Sequence, residues 1–227
     1  MEQEVRHVLP VDIERTSMEI ISEELARMGV VLSGPNEAVI KRVIHTTADF
    51  DYVENLRFTP RAVERAVEVL RAGAVIVTDT NMACSGVNKA GLGKLKGEAL
   101  CLMADPEVAA AAKAAGTTRA AAAVERAAAA HPAAVFAVGN APTALLKLRE
   151  LMEGGFRPAL VIGAPVGFVN VVESKRQIFG ICAETGVPCI AAMGRKGGSN
   201  VAAAICNALI YTALDWVDPG KRDTARA

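Results

Sequence analysis

His45 is the side chain in this 227-residue chain best suited to moving a proton. It follows Val43-Ile44 and precedes Thr46-Thr47-Ala48-Asp49, and imidazole has both its neutral and charged forms within reach near neutral pH. Arg42 stands one helical turn earlier on the same face, where a guanidinium can hold a carboxylate beside the ring. A single helical histidine also serves as a satisfied structural residue, and pattern alone leaves both readings open. His7, near the start, and His131, before Pro132, read as incidental. A second group is the run Met193-Gly194-Arg195-Lys196-Gly197-Gly198-Ser199-Asn200. Glycines let backbone N–H groups approach an anion, a following helix adds its positive end, and Arg195 and Lys196 add charge. The run lacks the GxxxxGK[ST] order of a nucleotide loop, and Gly91-Leu92-Gly93-Lys94-Leu95-Lys96-Gly97 misses GxGxxG by one residue. A carboxylate- or phosphate-bearing ligand of another kind fits better than a nucleotide; the plain alternative is a tight loop with solvated charges. Ser85 is not in a G-x-S-x-G elbow, and Cys84 has no local basic partner. Asp49, Asp51 and Glu54 show no helical pairing and read as surface carboxylates.

Both groups need a scaffold, and the hydrophobic pattern supplies one. Helices are expected from Thr16 or Ser17 to Met28, from Pro35 to Thr47, and from Thr59 to Ala72 with Thr-Pro at the N-terminus. After residue 73 short apolar runs appear: AVIVTD (74–79), ALCLM (99–103), AVFAV (134–138), ALVIG (159–163) and VPCIAA (187–192). Helical segments at 106–130, 142–153, 171–185 and 199–214 alternate with them. Buried-type strands alternating with helices predict an α/β fold, with a doubly wound and mostly parallel five-stranded sheet covered on both faces. The stretch 109–134 holds 16 alanines in 26 residues and reads as helix packed on sheet rather than low complexity. One domain spans 1–227, patterned over 13–214, with a polar tail from 215 expected to fray. In such folds ligands sit beyond the carboxyl ends of the strands. There the chain places Thr78-Asp79-Thr80-Asn81-Met82, Gly139-Asn140-Ala141-Pro142-Thr143, Ala164-Pro165-Val166-Gly167-Phe168-Val169-Asn170 and the Met193–Asn200 run, four polar turns on one edge.

Composition narrows the function classes. Lys+Arg and Asp+Glu are 25 each, for a formal net charge of 0, which argues against a general nucleic-acid or acidic-membrane binder. The uncharged stretches 127–146 and 197–214 are interrupted by Pro132, Gly139, Asn140 and Pro142, and by Asn207, so no membrane span is expected. The first 17 residues show no apolar signal segment, and five cysteines include no CxxC pair; a cytoplasmic setting and no metal site are expected.

In order along the chain stand IERTSMEII (13–21), VIKRVIHTTADFDY (39–52), VIVTDTNMACSGV (75–87), GNAPTALLKL (139–148), PVGFVNVVESK (165–175) and GRKGGSNVAAAICNAL (194–209). Together they resemble the precorrin-8X methylmutase family of corrin (vitamin B12) biosynthesis, including its cobalt-precorrin-8 counterparts, over residues 13–214. The resemblance implies a flavodoxin-like sheet with extra N-terminal helices, a homodimer, and an isomerase. That enzyme moves a methyl group from C11 to C12 of the tetrapyrrole-derived ring, giving hydrogenobyrinic acid or its cobalt analogue, cobyrinic acid, with no cofactor. It implies His45 as proton donor/acceptor. For the substrate's carboxylate arms it implies contacts from Ser17, Arg15, Arg42, Asn88, Arg119, Asn140, Lys175, Arg195, Lys196 and Ser199. Two other classes are kept beside it: a corrinoid-binding carrier without chemistry, which tolerates loss of His45, and a nucleotide-using flavodoxin-like enzyme, which the missing fingerprints disfavour.

Overall fold

A computed structural model describes residues 12–219; His7 and the end of the polar tail lie outside the described residues. Three N-terminal helices come first, α1 (Ile13–Arg27), α2 (Glu37–Thr47) and the one-turn α3 (Tyr52–Asn55), followed by β1 (Leu56–Phe58) and α4 (Ala62–Arg71). Then come β2 (Val75–Thr78), α5 (Asn81–Gly86), α6 (Lys89–Lys94), β3 (Glu98–Cys101), α7 (Pro106–Ala114), α8 (Arg119–Ala130), β4 (Val135–Val138) and α9 (Pro142–Glu153). The chain closes with β5 (Leu160–Gly163), α10 (Val171–Thr185), β6 (Cys189–Ala192) and α11 (Ser199–Ala213).

The strands lie in the order β1-β6-β5-β4-β2-β3. Strands β2 to β6 are parallel, and taken alone they run 2-1-3-4-5, the flavodoxin-like order. The five expected strands are all present, and the sheet has a sixth. β1 pairs antiparallel with β6, Leu56 opposite Ala192 and Phe58 opposite Ile190. Leu-Arg-Phe is too short for an apolar run to show, which is why the strand count comes out one higher than expected. Alternation along the parallel strands divides the core. Ile76, Val135, Leu160, Ile162 and Ile190 share one core cluster with residues of α1, α2, α4 and α11, while Val77, Phe136, Val161 and Cys189 share another with residues of α8, α9 and α10. Alanine at Ala120, Ala127, Ala128, Ala202 and Ala208 keeps the two helical layers close to this sheet.

Helix boundaries follow local chemistry. α7 opens on Asp105, whose carboxylate accepts the Glu107 N–H at 2.8 Å, with Pro106 in its first turn. Where one helix was expected over 106–130 there are two, because Gly116 at φ +62° stops α7 and Thr118 caps α8. α1 begins at Ile13 rather than at a Thr16 or Ser17 cap; the Ser17 hydroxyl donates back to the Ile13 carbonyl at 2.8 Å instead. The Thr59-Pro60 start expected for α4 is displaced to Ala62, since Thr59 is taken by the sheet edge, its hydroxyl accepting the Cys189 N–H at 2.8 Å. Just past α11 the chain folds back on that helix. The Trp216 N–H donates to the Tyr211 carbonyl at 2.7 Å, and its ring centroid lies 5.0 Å from the Lys94 amine.

Candidate active site

The turns at the carboxyl edge of the sheet are tied to one another. Asp79, 5% exposed at the end of β2, accepts the N–H groups of Gly139, Asn140 and Ala141 at 2.7, 2.8 and 2.6 Å. Burial raises its carboxyl above the ordinary carboxylate value, and the three donors pull it back down. Thr80 and Ser199 share a hydroxyl hydrogen bond of 2.8 Å, joining the turns after β2 and β6. The Gly198 N–H donates to the Ala164 carbonyl at 2.8 Å, joining the turns after β6 and β5. Gly139 sits so close to this junction that a Cβ there would lie 2.8 Å from Ser199 Cα and 2.9 Å from the Gly198 carbonyl oxygen.

His45 lies in the last turn of α2. Val39, Ile40, Val43 and Ile44 bury the other side of that helix, which leaves the imidazole exposed. Ala48, in the left-handed region at φ +53°, ends the helix and returns its N–H to the Ile44 carbonyl at 2.7 Å. Arg42 is anchored on both sides: a guanidinium nitrogen is 2.5 Å from a Glu14 carboxylate oxygen, and its carbon is 5.2 Å from the Tyr211 ring centroid. Lys196 bridges from the turn after β6 to the segment just beyond α2, its amine 2.6 Å from Asp49 and also bonded to Asp51. That bond holds the Asp49 carboxyl below its ordinary value and raises the Lys196 amine. Asp51 is exposed, as expected of a surface carboxylate, and Asp49 half-buried; both also pair with Lys196, a candidate binding cation.

Two spaces adjoin this region and share Arg42 and Tyr211 as a wall. The smaller, about 270 Å³, runs between α2, α5 and α11 from Thr46 to Asn200. The larger, about 540 Å³, lies between α1, α2 and α11 and gathers Arg15, Lys41 and Arg42.

The structure brings Arg42, Asn88, Lys196 and Ser199 into one connected region around α2 and α11, with Arg195 on the same turn. Asn88 caps α6 by accepting the Gly91 N–H at 2.9 Å and donates to the Tyr211 hydroxyl at 3.3 Å, so it steadies the ring under Arg42. Arg195 is exposed, 5.3 Å from the Phe168 ring centroid. Lys175 is fully buried, its amine donating to the Gly194 and Lys196 carbonyls at 3.0 and 2.6 Å. Asn140 presents an exposed side chain above the Asp79 junction. Arg15 pairs with Asp12 at 2.5 Å, and Ser17 is bonded within α1. Arg119 begins α8 on the opposite face of the sheet, at the same edge, where Thr118 donates to Thr143 at 2.9 Å. Sequence reasoning did not single out Tyr211 or Asn207. Asn207 accepts the Asn88 N–H at 2.7 Å and donates to the Gly86 carbonyl at 2.9 Å, fixing the joint between α5 and α6. Its signal was an amide set in an otherwise apolar helix.

The nucleotide reading loses its site. The switch point of the parallel strands lies between β2 and β4, and the N–H groups that would face a phosphate there are filled by Asp79. The Gly91–Gly97 run packs instead of cradling: a Cβ on Gly97 would lie 2.5 Å from the Ala74 carbonyl oxygen.

A family model described as Precorrin-8X methylmutase matches residues 12–212. The cobalt-precorrin-8 methylmutase of Salmonella typhimurium is 46% identical over 89% of this chain and 95% of its own. The precorrin-8X methylmutase of Pseudomonas aeruginosa is 38% identical over 76% of this chain and 82% of its own. A crystal structure of precorrin-8x methyl mutase from Thermus thermophilus superposes with a TM-score of 0.80 at 42% identity, covering 90% of this chain and 98% of that one.

Proposed function

The chain belongs to the precorrin-8X methylmutase family, and on that footing we propose how its residues divide the work of an intramolecular methyl transfer. It is an isomerase that shifts a methyl group from C11 to C12 of precorrin-8X or its cobalt form. The observation that carries the assignment of parts is the exposed His45 at the end of α2, held beside the turn after β6 through Lys196, Asp49 and Asp51.

His45 is the proton donor/acceptor. It lies in the last turn of a helix, where the carbonyl ends favour positive charge. A proton or hydrogen bond given to a ring nitrogen draws electron density from the conjugated system and eases the migration of the methyl group. The same proton returns when the shift is complete, so the mass of the pigment is unchanged. Arg42, Arg195 and Lys196 take carboxylate arms of the macrocycle, with Arg15, Ser17, Asn140, Ser199 and Arg119 around them. Asn88 acts through Tyr211 on Arg42. Lys196 is already neutralised by two carboxylates, so an arm that reaches it displaces an internal partner instead of meeting a bare charge.

Two copies of the chain form the working enzyme in this reading. The loop after β5 offers Val166, Phe168 and Val169 as exposed apolar side chains at the same edge. The cytoplasm is the setting that suits five cysteines, all free. Among the described residues no helix is long and apolar enough to cross a membrane.

A single-turnover incubation tests the assignment. Wild type and His45→Ala are mixed with metal-free precorrin-8X, then with cobalt-precorrin-8, and the absorption spectrum and pigment mass are followed. Wild type is expected to change the spectrum at constant mass. His45→Ala is expected to bind with similar affinity and turn over roughly 10²- to 10⁴-fold more slowly. Binding of both pigments without conversion by wild type would make the protein a carrier.

A further inference from the structure

Lys175 is a buried cation that the proton-transfer scheme leaves without a task. It stands five residues into α10 and is 0% exposed. Among the described residues no carboxylate pairs with it; its amine donates to the carbonyls of Gly194 and Lys196. Burial pushes the amine down to about 8. An ammonium taken out of water without a counter-charge, near the positive end of a helix, is unfavourable in its own right. An apolar side chain of the same shape would avoid that penalty, so the reason for a lysine lies in what it holds.

What it holds is one turn. Gly194 and Lys196 flank Arg195, and the turn continues through Gly197 and Gly198 into α11. Gly197 is pressed against the loop after β5, with the position of a Cβ 2.3 Å from the Ala164 carbonyl oxygen, and Gly198 donates to that same carbonyl. These contacts fix the far half of the turn. The two carbonyls on Lys175 fix the near half, from which the Arg195 and Lys196 side chains depart. Lys196 then reaches Asp49 and Asp51 beyond α2. A continuous set of contacts therefore runs from inside α10, through the backbone of the turn, to the segment that follows the helix carrying His45.

We propose that Lys175 is a positioning residue that braces the β6–α11 turn from behind and thereby sets its affinity for carboxylate arms of the corrinoid, an inference that rests on the reading of that turn as a substrate-holding element. Lys175 does not touch the substrate. It organises the backbone so that two cations leave it from fixed points, as a supporting contact does for a binding group.

Lys175→Met keeps the stem and removes the ammonium. Hydrogen–deuterium exchange of the free protein is expected to quicken about tenfold in peptides covering 193–199 and to stay unchanged in 160–163 and 189–192. Relief of the buried charge and loss of the two hydrogen bonds offset each other, so Tm is expected to move by less than about 4 °C. The Kd for hydrogenobyrinic acid rises by about tenfold to a hundredfold, while kcat at saturating precorrin-8X stays within a few-fold. Lys175→Gln, a shorter neutral donor, falls between wild type and Met in both exchange and affinity. Unchanged exchange in 193–199 overturns the brace. Faster exchange with unchanged Kd overturns its link to affinity, and loss of protection throughout the molecule with a fall in Tm makes Lys175 a general structural residue. Wild type that neither binds nor converts the corrinoid overturns the functional reading and the affinity link with it, while the exchange data still report on the brace.

Discussion

Asp79 and Lys175 are buried charges of opposite sign at the same edge of one sheet, and they treat the chain in opposite ways. Asp79 gathers three N–H groups of the turn after β4, the very groups that could have received an anionic ligand. Lys175 gathers two carbonyls of the turn after β6 and leaves the side chains of Arg195 and Ser199 outside its grip. One charge occupies backbone donors, and the other, by our proposal, braces a turn whose side chains point outward. Both are displaced toward their neutral forms by burial, Asp79 upward and Lys175 down to about 8. In the proposed reading, the parallel sheet meets its anionic ligand at the turn after its last parallel strand, since Asp79 fills the N–H groups at the switch point between β2 and β4.

If Asp79 is structural cement, Asp79→Ala strands three backbone donors and should lower unfolding free energy by about 3 kcal/mol or more, read by urea denaturation. A small loss with altered corrinoid affinity would move Asp79 to the binding side of the comparison. Gly197→Ala should fall next, at about 2 kcal/mol, because its Cβ meets the fixed carbonyls of Ala164 and Pro165. It should also weaken hydrogenobyrinic acid binding, which calorimetric titration would show; unchanged affinity would mean that the turn's shape does not matter to the ligand. The smallest effect concerns Asp49. Its carboxyl is held below 3.8 by Lys196, so the link persists above the ordinary carboxylate range and is lost as pH falls through the lowered value. Carboxyl-carbon NMR should place the Asp49 midpoint below 3.8 in wild type and move it up in Lys196→Met; identical midpoints would remove Lys196 from this arrangement.

Much of this was legible in the residues. The five parallel strands announced themselves as short apolar runs because a strand buried on both faces has no polar side to interrupt it. The turns at their ends stood out for glycine, proline and polar side chains. What stayed hidden depended on partners distant in sequence. Lys175 looked like one more cation for an anionic substrate, and only packing shows its amine turned inward. Asp49 and Asp51 read as surface charges, and their pairing with Lys196 stayed hidden because that partner lies about 145 residues away. Asn207 interrupts an apolar helix, but nothing local says that it joins α5 to α6. Arg119 does reach the carboxyl edge, though on the face of the sheet opposite α2 and α11.

The short strand β1 acts as a ruler. It follows directly on α2 and α3, and it runs antiparallel to β6, whose end opens into the turn that carries Lys196. Its register is pinned at both ends, by Met193 donating to the Asn55 carbonyl at 2.8 Å and by the exchange between Thr59 and Cys189. A strand can shift along its neighbour only in whole residues, each about 3.3 Å, and a shift of one residue turns every side chain to the opposite face. The separation between the imidazole and the β6–α11 turn is therefore quantised by backbone pairing, and three residues of strand suffice to select one value.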